Sequence, residues 1–352
     1  MIKRVSFLLL CIMSMMNSTV SAPLNRSSSL NTLPVEEDPI IITATATATS
    51  TVKVVVSATG PSTMTSTTRT DTCNILALSG GGSFGAVQLG ILDDLVTSKK
   101  IPDRFDLMTG ISAGGLNVGF LSRYDNISSA LPLLSHLYST LNDKDIYKQH
   151  YIGIFTKWSI YDTTPLEKTI RNIMKWAPQA ANPVKSLIGA SNINTQTLDI
   201  FQYNTVPIED KIKILLATSA IPLVFPPIQY NNTYYIDGGA ISNQIITQST
   251  GTLNCSFFNV TFISAGARSL PNEDKKIKSV FEYISLVIKL ILHTFDYQLA
   301  EVTTCSFPRG IVNACFPTSR QLQKYNRLTF NNGAELYKLG KAYNKCVQYL
   351  LC

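Results

Sequence analysis

The chain has 352 residues, of which 45% are hydrophobic and only 15% charged, enough apolar material for a large interior, which excludes a protein disordered throughout. The formal charge of +7 is modest, and 12 Lys or Arg against six Asp or Glu fall in residues 266–352. That tail is either a solvated positive face or a surface suited to anionic partners such as phospholipid; without basic and aromatic residues interleaved, nucleic acid is not an expected partner.

Lys3 and Arg4 precede an apolar run over residues 5–16, and Val20, Ser21 and Ala22 supply the small side chains of a cleavage site. This layout predicts a signal peptide over residues 1–22, in a run too short to span a bilayer, and hence a secreted protein or one in the lumen of the secretory pathway. Pro23 directly after the cut leaves an uncleaved anchor as the alternative. Residues 23–72 read as a Ser/Thr-rich disordered linker, since residues 43–70 hold 15 Ser or Thr in 28 positions and cannot bury enough surface to offset the entropy of ordering. An edge strand over residues 52–56 is the weaker reading, because no turn returns it to the chain.

Six cysteines remain after the signal: Cys73, Cys255, Cys305, Cys315, Cys346 and Cys352. An even number in an oxidising compartment predicts disulfides, with Cys305–Cys315 and Cys346–Cys352 as the short-loop choices. Sequons at Asn25, Asn126, Asn231, Asn254 and Asn259 fit a glycoprotein. No cysteine and histidine spacing suggests a metal, and no cofactor is expected.

The ordered domain is predicted over residues 73–352. A buried strand from Cys73 to Ser79 runs into Gly80-Gly81-Gly82-Ser83-Phe84-Gly85, and Val87, Leu89, Ile91, Leu92, Leu95 and Val96 mark the apolar face of a following helix. Gly80, Gly82 and Gly85 match a dinucleotide fingerprint, but the next strand ends in Thr109 and a serine turn where that fold needs a ribose-binding acid, although Asp103 and Asp106 lie near. The other reading makes the loop an oxyanion hole, its exposed N–H groups at Gly80, Gly81, Gly82 and Gly85 backed by the helix dipole.

Gly110-Ile111-Ser112-Ala113-Gly114 stands between a short apolar run and a helical segment, the setting in which Ser112 becomes a nucleophile and Gly110 and Gly114 permit the turn. A serine needs a base. Ser112, Asp237 and His293 satisfy the order of an α/β-hydrolase triad, yet His293 falls within a helical apolar stripe over residues 277–295, and His136 and His150 precede Asp237 without a motif. Asp237 is the better base, because a short aromatic strand delivers it into the Gly238-Gly239 turn.

With Ser219-Ala220-Ile221-Pro222 and Phe225-Pro226-Pro227 upstream, these motifs together resemble the patatin-like phospholipase family, from about Cys73 to Gln244. The resemblance implies an α/β, three-layer sandwich with a mainly parallel central sheet flanked by helices, and a Ser112–Asp237 dyad without histidine. It also implies an oxyanion hole from the glycine loop, and hydrolysis of lipid acyl esters without a metal, by a phospholipase A or lysophospholipase acting at a membrane or micelle surface. Many members carry arginine where this chain has Phe84, and loss of that charge weakens the expected preference for phosphate headgroups. The stripe over residues 277–295, with Lys275, Lys276, Lys278 and Lys289, reads as a core helix or an interfacial one making peripheral membrane contact; Glu282 and Lys289 argue against a span. The competing function is a catalytically silent secreted binding or storage glycoprotein.

Overall fold

The computed structural model describes residues 53–55, 70–149, 158–266 and 310–351. The predicted signal peptide, most of the predicted linker, His150, the stripe with His293, Cys305 and Cys352 lie outside the described residues.

β1 (Lys53–Val55) is followed by β2 (Thr70–Leu78), α1 (Gly85–Thr97), β3 (Leu107–Ile111), α2 (Ala113–Leu121), α3 (Ile127–Thr140) and the single turn α4 (Asp143–Ile146). A small hairpin of β4 (Lys148–Gln149) and β5 (Tyr161–Asp162) leads to α5 (Thr164–Trp176), β6 (Lys185–Asn192), β7 (Thr197–Gln202) and α6 (Ile208–Thr218). Then come β8 (Ile228–Tyr230), β9 (Thr233–Asp237), α7 (Ile246–Thr250), β10 (Cys255–Ile263), β11 (Gly310–Pro317), α8 (Gly333–Ala342) and β12 (Asn344–Leu351).

The main sheet has the order β1-β7-β6-β3-β2-β10-β11-β12, with β9 also on β6 and β8 on β9. Its middle, β6-β3-β2-β10-β11, is parallel throughout, and antiparallel pairs lie toward the edges. A parallel strand covered on both faces reads as an unbroken apolar run, as Ile75, Leu76, Ala77 and Leu78 do, each at most 1% exposed. Alternation divides β2 between two cores. Leu76 and Leu78 join the cluster under α1, α2, α3, α5, α6 and α8, while Cys73, Ile75 and Ala77 join one with Ile245 and Ile246 at α7. The fold is therefore a mainly parallel α/β sheet flanked by helices.

Three expectations change. The helix after the glycine loop is not two-faced, because α1 is buried from Gly85 to Leu92, held between the sheet and the outer helices α3 and α8. The weaker reading of residues 52–56 holds for Lys53–Val55, which pairs in parallel with β7; a parallel partner is reached by a long crossover and needs no tight turn. β2 also starts at Thr70, within the predicted linker. Finally, Cys315 bonds Cys346, which excludes both short-loop choices, and Cys73 bonds Cys255. Register decides this pairing: Cys315 and Cys346 stand directly opposite on β11 and β12.

Candidate active site

Ser112 sits where β3 turns into α2, with φ +53° and ψ −124°, a backbone conformation that costs a side-chain-bearing residue about 1–3 kcal/mol. The turn is so tight that a Cβ at Gly110 would strike the Gly114 carbonyl, and one at Gly114 the Leu78 carbonyl. Both glycines of the pentapeptide are thus required by contact with neighbouring backbone. The strained conformer is held by Thr218 at the end of α6, whose Oγ1 accepts the Ser112 N–H at 2.8 Å and donates to the Gly189 carbonyl at 2.6 Å.

Asp237 reaches the same point from the other direction. β6 pairs with β3 as far as Ile111 opposite Gly189, and the next residue, Ala190, pairs with Asp237 at the end of β9. β3 and β9 therefore meet end to end along one edge of β6. Ser112 Oγ donates to Asp237 Oδ2 at 2.6 Å, and Gly239 N–H donates to Asp237 Oδ1 at 2.8 Å. A Cβ at Gly238 would lie 2.7 Å from the Gly189 carbonyl, so the Gly238-Gly239 turn also needs its first glycine. Both Ser112 and Asp237 are 5% exposed. Burial pushes the Asp237 carboxyl up to about 7, with the bonds from Ser112 and Gly239 pulling the other way. At neutral pH it therefore exchanges a proton readily, and in its ionised form it can accept one from Ser112.

The glycine loop borders this pair, since a Cβ at Gly80 would lie 3.0 Å from Ser112 Cβ. Two of the four predicted oxyanion donors are already engaged. Gly80 N–H donates to Asn243 Oδ1 at 2.8 Å, and Gly85 N–H caps the 3-10 turn through the Gly82 and Ser83 carbonyls. The N–H groups of Gly81 and Gly82 have no acceptor among the described residues, which leaves them as the donors an incoming oxyanion can use.

Residues 76–248, which contain the glycine loop, the serine turn and Asp237, match the family model for patatin-like phospholipases. The match is to a patatin-like phospholipase domain, over just under half of the chain. The chain is 30% identical over 187 residues to a protein of invertebrate iridescent virus 6 named probable lipid hydrolase 463L, covering 48% of this chain and 60% of that one. It is also 30% identical over 200 residues to the cGAMP-activated phospholipase of Escherichia coli strain TW11681, covering 48% of this chain and 52% of the relative. The chain thus spans little more than half the length of either. Among solved structures, VipD from Legionella pneumophila aligns at 13% identity and a TM-score of 0.32, over 78% of this chain and 68% of that one.

Within this matched region the loop is held from below by a buried polar chain. Tyr138 OH donates to Asn117 Oδ1 at 2.8 Å; Asn117 Nδ2 donates to the Gly85 carbonyl at 3.1 Å and to Gln88 Oε1 at 3.3 Å. Gln88 Nε2 in turn donates to the carbonyls of Ser79 at 2.8 Å and Ile263 at 3.0 Å, tying both ends of the loop to the tips of β2 and β10. Sequence reasoning named none of Thr218, Asn243, Gln88 or Asn117. Thr218 directly precedes the Ser219-Ala220-Ile221-Pro222 run and carries no signal of its own; nor does a lone buried amide such as Asn243 or Gln88. Of the histidines, His136 is exposed on α3, and the other two lie outside the described residues.

Proposed function

We propose that this chain hydrolyses fatty-acyl esters of phospholipids or lysophospholipids through a Ser112–Asp237 dyad and an acyl-enzyme. The observation that carries the reading is the direct 2.6 Å hydrogen bond from Ser112 Oγ to a buried carboxyl. Asp237 takes the Ser112 proton as Oγ attacks the acyl carbonyl, and the charge that develops on the carbonyl oxygen meets the Gly81 and Gly82 N–H groups. Collapse breaks the ester bond, the leaving alcohol recovers the proton from Asp237, and water deprotonated by the same carboxylate frees the fatty acid. Support for a dyad over a Ser112, Asp237 and His293 triad is that Asp237 spends one oxygen on Ser112 and the other on Gly239, leaving no imidazole between acid and serine. Support for a lipid ester comes from the matched family and from relatives named lipid hydrolase and phospholipase.

The proposal includes a secreted or lumenal protein that meets its substrate at a membrane or micelle surface. The N-terminal layout and the two disulfides support that location, since disulfides persist in oxidising compartments. Among the sequons in the described residues, glycosylation would fall on exposed Asn126, Asn231 or Asn254, because Asn259 donates its amide to Asn74 Oδ1 within the sheet.

Product analysis on phospholipids, lysophospholipids and neutral glycerides tests the reading, with Ser112→Ala as control and a fluorophosphonate as probe of Ser112. Fatty acid release that persists in Ser112→Ala would overturn it. Absence of labelling in the native protein would favour the silent glycoprotein.

A further inference from the structure

The glycine loop is backed by a cation from the far end of the chain. Ser83 N–H donates to the Arg327 carbonyl at 2.8 Å and Ser83 Oγ to the Asn326 carbonyl at 3.2 Å, so the segment around Arg327 is fastened to the loop by backbone. Gly82 has φ +59°, and a Cβ there would strike the Arg327 carbonyl, which keeps the two segments in contact. The Arg327 guanidinium then folds over the Phe84 ring, its Cζ 5.2 Å from the centroid, while Phe84 itself is 6% exposed. An arginine over an aromatic face is held in place by the ring quadrupole and by the flat fit of the two planes.

Successive glycines of the loop border different neighbours. A Cβ at Gly80 would meet Asn243 Oδ1 at 2.5 Å and Ser112 Cβ at 3.0 Å; a Cβ at Gly81 would meet Ala265 Cβ at 2.2 Å and lie 3.5 Å from Arg327 Nη1. Adjacent loop residues thus border the serine on one side and the guanidinium on the other, and Gly81 and Gly82 carry the two N–H groups without acceptors among the described residues. Nη1 is shielded from solvent, so its field is weakly screened on the way to the loop.

We propose that Arg327 is an electrostatic positioning residue of the oxyanion site: its charge, locked on Phe84 behind the loop, stabilises the anionic oxygen held by Gly81 and Gly82 in acyl transfer. This rests on the Ser112–Asp237 reading. It also gives Phe84 a role, since its buried ring is the seat of the guanidinium. Because the guanidinium lies behind the backbone, it acts on the transition state more than on substrate binding, and its loss should lower kcat while leaving KM nearly unchanged.

The test measures the rate of Ser112 phosphonylation by a fluorophosphonate, in which serine attack builds negative charge on the phosphoryl oxygen in the same hole as fluoride leaves, together with kcat and KM on an acyl ester. Arg327→Gln and Arg327→Met are expected to lower kcat and the labelling rate by about 10- to 100-fold with KM within about threefold of the native value. Arg327→Lys, which keeps the charge, is expected to stay within about tenfold of native. The double variant Phe84→Arg with Arg327→Gln moves the charge onto the loop and is expected to recover most of the loss. Should Arg327→Gln fail to fold, Arg327→Met, which keeps the stem of the side chain, is read in its place. Native labelling and kcat in the neutral variants would overturn the role of Arg327 while leaving the dyad standing. So would a loss that follows a fall in Tm and is not restored by the double variant. If native Ser112 itself neither labels nor turns over, the dyad reading fails and this inference with it.

Discussion

Ser112 and Asp237 are 125 residues apart in the chain yet share one hydrogen bond of 2.6 Å, because β3 and β9 end at adjacent positions, Gly189 and Ala190, of the same strand. The junction is buried, and burial gives Asp237 a carboxyl that titrates near 7. Since the ionised form is the base, acylation should rise with pH about tenfold per unit below 7 and level off above it. An unshifted carboxyl would give a flat profile from pH 5 to 9. The single-turnover rate of fluorophosphonate labelling against pH checks this directly, and a flat profile would mean that Asp237 is better solvated than the structure indicates.

The same shift has a consequence for stability. The Asp237 carboxyl rises from 3.8 to about 7 on folding, so the native state holds this proton more tightly than the unfolded one. The stability linked to it is fully present below about pH 4 and is lost as pH rises through 7. Asp237→Asn removes the titration while keeping an acceptor for Gly239 and a hydrogen-bonding partner for Ser112. The variant should be inactive yet more stable than the native protein at pH 8, by up to about 4 kcal/mol, with the difference closing toward pH 4. Tm measured for both proteins at pH 4, 6 and 8 decides the matter; a variant less stable at pH 8 contradicts the sign.

Much of this site was legible in the chain because its backbone demands are local. The continuous apolar run of β2 marks a central parallel strand, and the glycines on either side of Ser112 mark the turn by contacts made within a few residues. What was not legible depends on register and on distant partners. The aromatic strand and glycine turn mark Asp237 as the base, but the register that sets it opposite Ala190 is not written in residues 233–237, and nothing near Thr218 announces a hydroxyl aimed at the serine N–H. The β1 pairing escaped for the same reason, since Lys53–Val55 becomes a strand only through β7. Arg327 reaches the glycine loop from a segment with no motif at all.

The disulfides offer a test of register. Peptide mapping without reduction should recover Cys73 linked to Cys255 and Cys315 linked to Cys346, and no Cys305–Cys315 peptide. Replacing Cys315 and Cys346 together by serine opens a link across 31 residues and should cost about 4 kcal/mol on the chain-entropy model. Because β11 and β12 lie at the sheet edge away from Ser112, the loss should appear in Tm and leave KM unchanged in the protein that remains folded. A raised KM would mean that this edge also shapes the substrate site.

Thr218 provides the sharpest separation of positioning from chemistry. Its hydroxyl bridges the Ser112 N–H and the Gly189 carbonyl. Thr218→Val keeps the shape and removes the bridge, taking a buried partner from each group at about 1–3 kcal/mol for each left unsatisfied. Part of that cost can be relieved by letting the Ser112 backbone relax from φ +53°, which would carry Oγ away from Asp237. The expected result is a Tm several degrees lower and a kcat reduced by about 10- to 100-fold, whereas Thr218→Ser, which retains the hydroxyl, should restore kcat with most of the stability. If valine lowers Tm but spares kcat, the elbow keeps its conformation through Gly110 and Gly114 alone, and Thr218 serves only the fold.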